Sequence, residues 1–320
     1  MADLKEGMLV QHASLGVGKV VALEPNAVHV FFPDSEKRFA AKLRLPAARA
    51  LLSTDGLERN SWLEGLSSFA LDAQSGRYAL AANFLTHEEA VAEFQALYPQ
   101  GFADPAYAAS GKRERAARWR AASAAWKEAF ASGEGARLAD EGEVGELVKR
   151  IARSAPLSAL FDPVLEEDGI AEVFEDEASA RSFFDALFSL LSVPVPARAR
   201  FDKLFAAAAG LAVAPASSWA LATAFPLLAD PSRHVVLWPK STRAAAERLG
   251  CDLRYDAAPN WATYTSLRAF ATQLRERLAP LGAQDFVDVE VFLNVVAAAR
   301  RPQPAAAAAD SATARPRRTR

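Results

Sequence analysis

The stretch from Gly7 to Leu45 limits the fold most strongly, because its apolar residues alternate along the chain in the way a half-buried strand requires. Met8 and Val10 open the pattern. Val17, Lys19 and Val21 then stand against Val20 and Ala22, and Val28, Val30 and Phe32 follow. Turn residues break the runs at Gly16-Val17-Gly18, Pro25-Asn26 and Pro33-Asp34-Ser35, where glycine accepts positive φ, proline fixes φ and Asn or Asp bonds its own backbone. Four or five strands of about five residues each make a curved sheet that buries one face by closing on itself. The expectation is an SH3-like barrel over residues 1–52, with Pro46 to Leu52 closing it.

Beyond the barrel the apolar period becomes helical, which gives an α+β multidomain chain with a mainly helical unit over residues 53–299. Thr86 and Glu89 form a capping box that starts a helix running to about Tyr98. Asp104-Pro105 begins another that reaches Phe130, with Trp119, Ala122 and Trp126 on one stripe and Arg113, Arg120, Lys127, Arg115 and Arg118 along its flanks. Further helical patterns lie at Glu143 to Arg153, Pro163 to Phe174, Glu177 to Leu191 and Ala197 to Leu211. Trp219 to Leu228 reads as an apolar helix interrupted at Pro226. A short β-α-β corner is expected from a strand at Arg233 to Trp238, a helix at Arg243 to Leu249 capped by Ser241 or Thr242, and a strand at Asp252 to Tyr255. Asn260 caps a helix from Trp261 to Leu278, and a last helix runs from Asp285 to Ala299. Residues 300–320 are Ala-, Pro- and Arg-rich without an apolar period, which predicts a disordered basic tail.

Of 320 residues, 51% are hydrophobic, enough for a sizeable core, and the formal charge of -2 excludes a uniformly basic nucleic-acid binder. Charge is uneven instead. Thirteen Asp or Glu fall between residues 140 and 185, and the cluster Glu166, Glu167, Asp168, Glu172, Glu175, Asp176 and Glu177 reads as a solvated acidic face without the alternating oxygen ligands of a calcium loop. A single cysteine, Cys251, excludes an intrachain disulfide and a thiolate metal cluster. The N-terminus lacks a signal-peptide core and no run of about 18 apolar residues exists to span a bilayer, so a cytoplasmic protein is expected.

The order Gly7, Val10, His12, Leu15, Gly16, Gly18 and Val20, with Val28, Val30, Phe32, Lys37, Arg38 and Phe39 after it, resembles the Tudor-like domain of UvrD/PcrA-type DNA helicases. It also resembles the RNA-polymerase-binding domain of CarD-type transcription factors. The resemblance covers about the first 45 residues. It implies a non-enzymatic adaptor whose barrel edge docks on RNA polymerase, a helicase or a repair or defence protein, with Lys19, Lys37 and Arg38 on the contact face. The run from Trp219 through His234-Val235 and Asn260-Trp261 to Asp285-Phe286 is similar to a bacterial helical family that supplies a domain and no activity.

Two further classes stay open. Direct DNA or RNA binding would use the barrel, the Arg113 to Lys127 helix and the tail cations Arg315, Arg317 and Arg318. A ligand-binding or enzymatic helical unit would use His234, Asn260, Trp261 and Tyr264, with Lys240, as a pocket in which polar groups interleave with aromatics. Phosphate-loop, dinucleotide and nucleophile-elbow motifs are all missing, and His12, His29, His87 and His234 have no metal-ligand spacing. No catalytic residue, cofactor or metal is therefore assigned.

Overall fold

The structure, a computed structural model, describes residues 4–33, 35, 39–54, 57, 60, 63–64, 66, 69–72, 75–80, 84–108, 115–165, 169–193 and 197–299. Strands β1 (Leu9–His12), β2 (Gly16–Glu24), β3 (Ala27–Phe31), β4 (Ala41–Arg44) and β5 (Leu52–Ser53) form a curled antiparallel sheet in the order β4-β3-β2-β1-β5. Hairpin pairing of neighbours sets the register, with Val10 opposite Gly18 and Val20 opposite Val30. The glycine pattern has a steric cause. Gly16 sits at φ +78, and a Cβ on Gly18 would stand 2.5 Å from the Phe32 ring. His12 Nδ1 closes the β1–β2 turn by accepting from the Ser14 and Leu15 backbone N–H groups at 3.2 and 3.3 Å.

The sheet is a half-barrel, not the closed barrel expected. Its two ends are bridged by helix α1 (Leu45–Leu51), whose Ala48 is buried among Val10, Val20, Val28, Val30 and Phe32. The opposite face is also covered. A hairpin of β6 (Phe69–Asp72) and β7 (Arg77–Leu80) lies beside it, the Ala40 N–H donating to Tyr78 O at 2.7 Å, and Phe31, Ala40, Leu66, Leu80 and Phe84 form a second small core. Every residue of β3 is consequently buried.

Lys19 follows from that arrangement. Expected on a contact face, it is buried instead, and its ammonium donates to the backbone carbonyls of Leu66, at 2.7 Å, and Glu64. Burial lowers its pKa, and the two carbonyl acceptors compensate the desolvated cation. Lys37 and Arg38 lie outside the described residues, as does the whole segment 300–320 with Arg315, Arg317 and Arg318.

The helical region comprises α2 (His87–Leu97), α3 (Pro105–Ala108), α4 (Arg115–Ala129), α5 (Glu134–Asp140), α6 (Val144–Arg153), α7 (Ala155–Leu165) and α8 (Ile170–Val173). It continues with α9 (Glu177–Leu191), α10 (Arg198–Ala209), α11 (Pro215–Ala229), α12 (Pro239–Arg248), α13 (Trp261–Leu278) and α14 (Phe286–Ala298). Helix α11 is apolar all round and buried from Ser217 to Leu228, which makes it the central element, packed by α4, α7, α9, α10 and α12. Phe225 on it meets Trp126, Phe161 and Phe183 at centroid distances of 5.4, 4.8 and 5.9 Å. Pro226 does not interrupt this helix. The chain remains helical through it to Ala229.

The β-α-β corner is not formed. Val235 to Trp238 is a buried extended segment whose donors go to side chains, Leu237 N–H to Thr223 Oγ1 and Trp238 N–H to Thr242 Oγ1, both at 3.0 Å. Cys251 makes its bridge to Leu66 rather than to that segment. The helix between them starts at Pro239, four residues before the expected Arg243. Gly250, at φ +71, ends the turn after it, where a Cβ would lie 2.3 Å from Leu66 Cδ1. No helix among the described residues is long and apolar enough to cross a membrane.

Candidate functional site

Four helices lend their ends to one cavity of about 550 Å³, walled by Arg115, Arg118 and Trp119 of α4, Ala216 of α11, Trp238 to Ser241 and Ala244 at the start of α12, and Asn294, Ala297 and Ala298 of α14. Its charge comes first from the backbone. Both α11 and α12 begin with proline at the first helical position and have no side-chain cap, so the first-turn N–H groups of Ala216, Lys240 and Ser241 point out of the helix ends without a capping acceptor. Each N-terminus carries roughly half a positive charge. The one helix C-terminus at the rim, that of α14, is covered by Arg248, whose Nη1 donates to the carbonyls of Val296 at 2.9 Å, Ala297 at 3.3 Å and Ala299.

Side chains add to that field. Arg115 is neutralised by Glu290, buried on α14, in a bidentate pair: Nε donates at 2.6 and 2.9 Å, Nη2 also donates, and Trp119 Nε1 donates to the same carboxylate at 3.0 Å. Arg118 and Lys240 have no ion-pair partner among the described residues. The Arg118 Nε is buried without an acceptor, and so is the indole Nε1 of Trp238, a residue only 7% exposed. Buried donors left without acceptors are uncommon because each costs about 1–3 kcal/mol. Both atoms have almost no accessible surface, so what the walls present to the cavity is the two cations, which have no ion-pair partner among the described residues, and the two uncapped helix starts, all of positive sign. Among the described residues the walls hold no carboxylate, histidine or cysteine.

A second polar network braces α14 beneath this wall. Tyr107 Oη donates to Asp288 Oδ1 at 2.5 Å, Gln284 N–H donates to Asp288 Oδ2 at 2.7 Å, and Asp285 caps the helix through the Val287 and Asp288 N–H groups. Burial, with the neighbouring Asp288 carboxylate, pushes the Tyr107 pKa far up, so it remains a donor. A wider groove of about 780 Å³ between α9 and α10 is a seam of small residues such as Ala186, Ala207 and Gly210, with Lys203 and Asp185 of opposite sign, and has no such convergence.

The pocket expected from sequence lies elsewhere. His234, Trp261 and Tyr264 do come together, around the Phe201 ring at 5.9, 5.5 and 4.3 Å. Burial holds the His234 pKa down at about 4, so its ring is neutral there. Asn260 is used in capping α13, its Oδ1 accepting from Thr263 N–H at 2.9 Å. Lys240 alone of that set lines the cavity between α4, α11, α12 and α14. Arg118 was legible only as the flank of a basic helix, and Trp238 as the end of a strand. The signal that would have found them is Trp-Pro-Lys-Ser: proline at a helix start with no Ser, Thr, Asp or Asn before it.

Among the described residues no group of three or more His, Cys, Asp or Glu side chains is placed to hold a metal ion. Comparison of the chain with family models, with curated proteins and with solved structures gives no match.

Proposed function

We propose that this protein is a binding protein whose helical region captures a small anionic ligand in the cavity between α4, α11, α12 and α14. The observation that carries the reading is the meeting of Arg118 and Lys240, which have no ion-pair partner among the described residues, with the uncapped starts of α11 and α12 around one cavity. Helix N-termini and unpaired guanidinium groups stabilise the same charge, so an anion seated there satisfies several orphan donors at once. Tungstate, an electron-dense tetrahedral oxyanion, tests this in a crystal of the full chain. The reading predicts an anomalous peak within hydrogen-bond distance of Arg118 and the Lys240 or Ser241 N–H. A cavity that stays empty while surface lysines collect tungstate would sink it.

A second reading keeps the curled sheet as a docking module of Tudor or SH3-like kind. Its specific support is β4, an edge strand whose Lys42 and Arg44 are exposed and whose Ala41–Arg44 backbone pairs with β3 on one side. Charged edges deter chance pairing, and they also select a strand of opposite charge that adds to the sheet. The partner would be RNA polymerase, a helicase or a repair protein presenting an acidic extended segment. Reversing charge with Arg44→Glu should then abolish co-purification of that partner, and unchanged recovery would remove this reading.

A further inference from the structure

We infer that Lys19 is a nucleophilic amine that forms a Schiff base with a small aromatic aldehyde, in a cavity between the curled sheet and the β6–β7 hairpin. This site is separate from the cavity between α4, α11, α12 and α14. Its geometry starts from strand period. Residues two apart share a face, so Lys19 stands with Val17 and Val21 on the side of β2 turned toward the hairpin, where both valines pack against the second small core. A cavity of about 240 Å³ opens there, its wall including Lys19, Val21, Leu66, Phe69 and Tyr78. The Leu66 carbonyl accepts from Lys19 Nζ at 2.7 Å, so the nitrogen lies against a residue of that same wall.

The hydrogen bonds make the neutral amine accessible. A lysine ammonium has three N–H donors, and among the described residues Nζ has two acceptors, the carbonyls of Glu64 and Leu66. The third N–H is left without one on a side chain only 7% exposed. Loss of that proton takes a donor from neither carbonyl and leaves a lone pair, the nucleophile, uncommitted. Burial lowers the Lys19 pKa in the same direction, against the opposing charges of Glu64 and Asp252. The wall sets the class of partner. Val21, Leu66, Phe69 and Tyr78 are apolar or aromatic, and the space lies a little below the about 300 Å³ at which drug-sized sites begin, so it admits one ring carrying a formyl group. In the reaction Nζ gives its lone pair to the carbonyl carbon and a proton passes from nitrogen to the carbonyl oxygen. The carbinolamine then loses its hydroxyl with the remaining N–H proton as water while the C=N bond forms, and no oxidant or reductant is consumed.

Benzaldehyde with cyanoborohydride, which reduces each imine to a stable secondary amine, tests this on the full chain near neutral pH, with the labelled lysines read by mass spectrometry of a digest. Lys19 is expected to be labelled about tenfold faster than the exposed Lys127 and Lys203, because an ordinary solvated lysine is almost wholly protonated at that pH. A lysine that only clamps two carbonyls would be the last to react. Labelling of Lys19 at or below the rate of Lys127 and Lys203 therefore overturns the inference. Unfolding the chain in urea should abolish the preference, and a preference that survives unfolding overturns the inference as well, since it would then come from the local sequence. Glyoxylate, a small anionic aldehyde, should lose most of the preference for Lys19. An equal preference with both aldehydes overturns the aromatic class and leaves the nucleophilic amine standing.

Discussion

Replacing Glu290 by alanine is expected to destabilise the protein by about 3–5 kcal/mol, the cost of removing one partner from a buried ion pair. The carboxylate is 5% exposed and accepts from Arg115 through two nitrogens and from the Trp119 indole. Without it the Arg115 guanidinium, about a quarter exposed, keeps a cation facing the interior, and the Trp119 N–H, on one of the largest fully buried side chains, loses its acceptor. A chain of this size should show the loss as a melting temperature lower by roughly 10 °C. Glu290→Gln separates the two contributions, since the amide oxygen still accepts from Trp119 while the charge is gone. Its cost should be smaller, and thermal unfolding of the three proteins side by side checks the order. A Glu290→Ala protein that melts within about 2 °C of the parent would show that α4 and α14 are held by apolar packing alone.

The pair also explains why the site and the fold are linked. Helix α14 supplies Glu290 to hold Arg115, Asn294 to the cavity wall, and carbonyls that Arg248 covers. Arg248 ends the helix whose start lines the cavity, and its own carbonyl accepts from Leu85 N–H at 2.7 Å, next to the second small core under the curled sheet. One short helix thus runs from the cavity to the junction with the sheet, and a change at either end has a structural path to the other.

Local chemistry was readable along the chain and long-range chemistry was not. The strands of the curled sheet, the Thr86–Glu89 capping box and the Asn260 cap are dictated by residues within a few positions of one another, and all three stand in the structure. The Arg115–Glu290 pair joins residues 175 positions apart, and no periodicity announces it. Where the expected start of α12 was misplaced, the cause was a specific rule. Ser241 and Thr242 look like helix caps, which moved the expected start of α12 past Pro239 and hid its uncapped first turn. Thr242 is in fact inside the helix, its Oγ1 accepting from Trp238 N–H. Val235 to Trp238 likewise has strand composition, but Thr223 and Thr242 take donors that a neighbouring strand would need.

The largest effect expected on binding comes from removing the two uncompensated cations together. Arg118 contributes a partly buried guanidinium with no ion-pair partner among the described residues, and a hydrogen bond from such a charged group is worth about 1.5–3 kcal/mol, or roughly ten- to hundredfold in affinity. Lys240 lies on the exposed rim, where solvent screens it, so its share is a few-fold. Neither side chain makes an ion pair among the described residues, so Arg118→Gln and Lys240→Gln should leave the melting temperature of the unliganded protein nearly unchanged. The direct measurement is therefore the dissociation constant of inorganic phosphate, as a small-anion probe, for the parent and for the Arg118→Gln/Lys240→Gln protein, at one moderate salt concentration. The cavity account predicts weakening by about a hundredfold in the double variant with its stability intact. Equal affinity in the two proteins would contradict it and place anion binding, if there is any, elsewhere on the molecule.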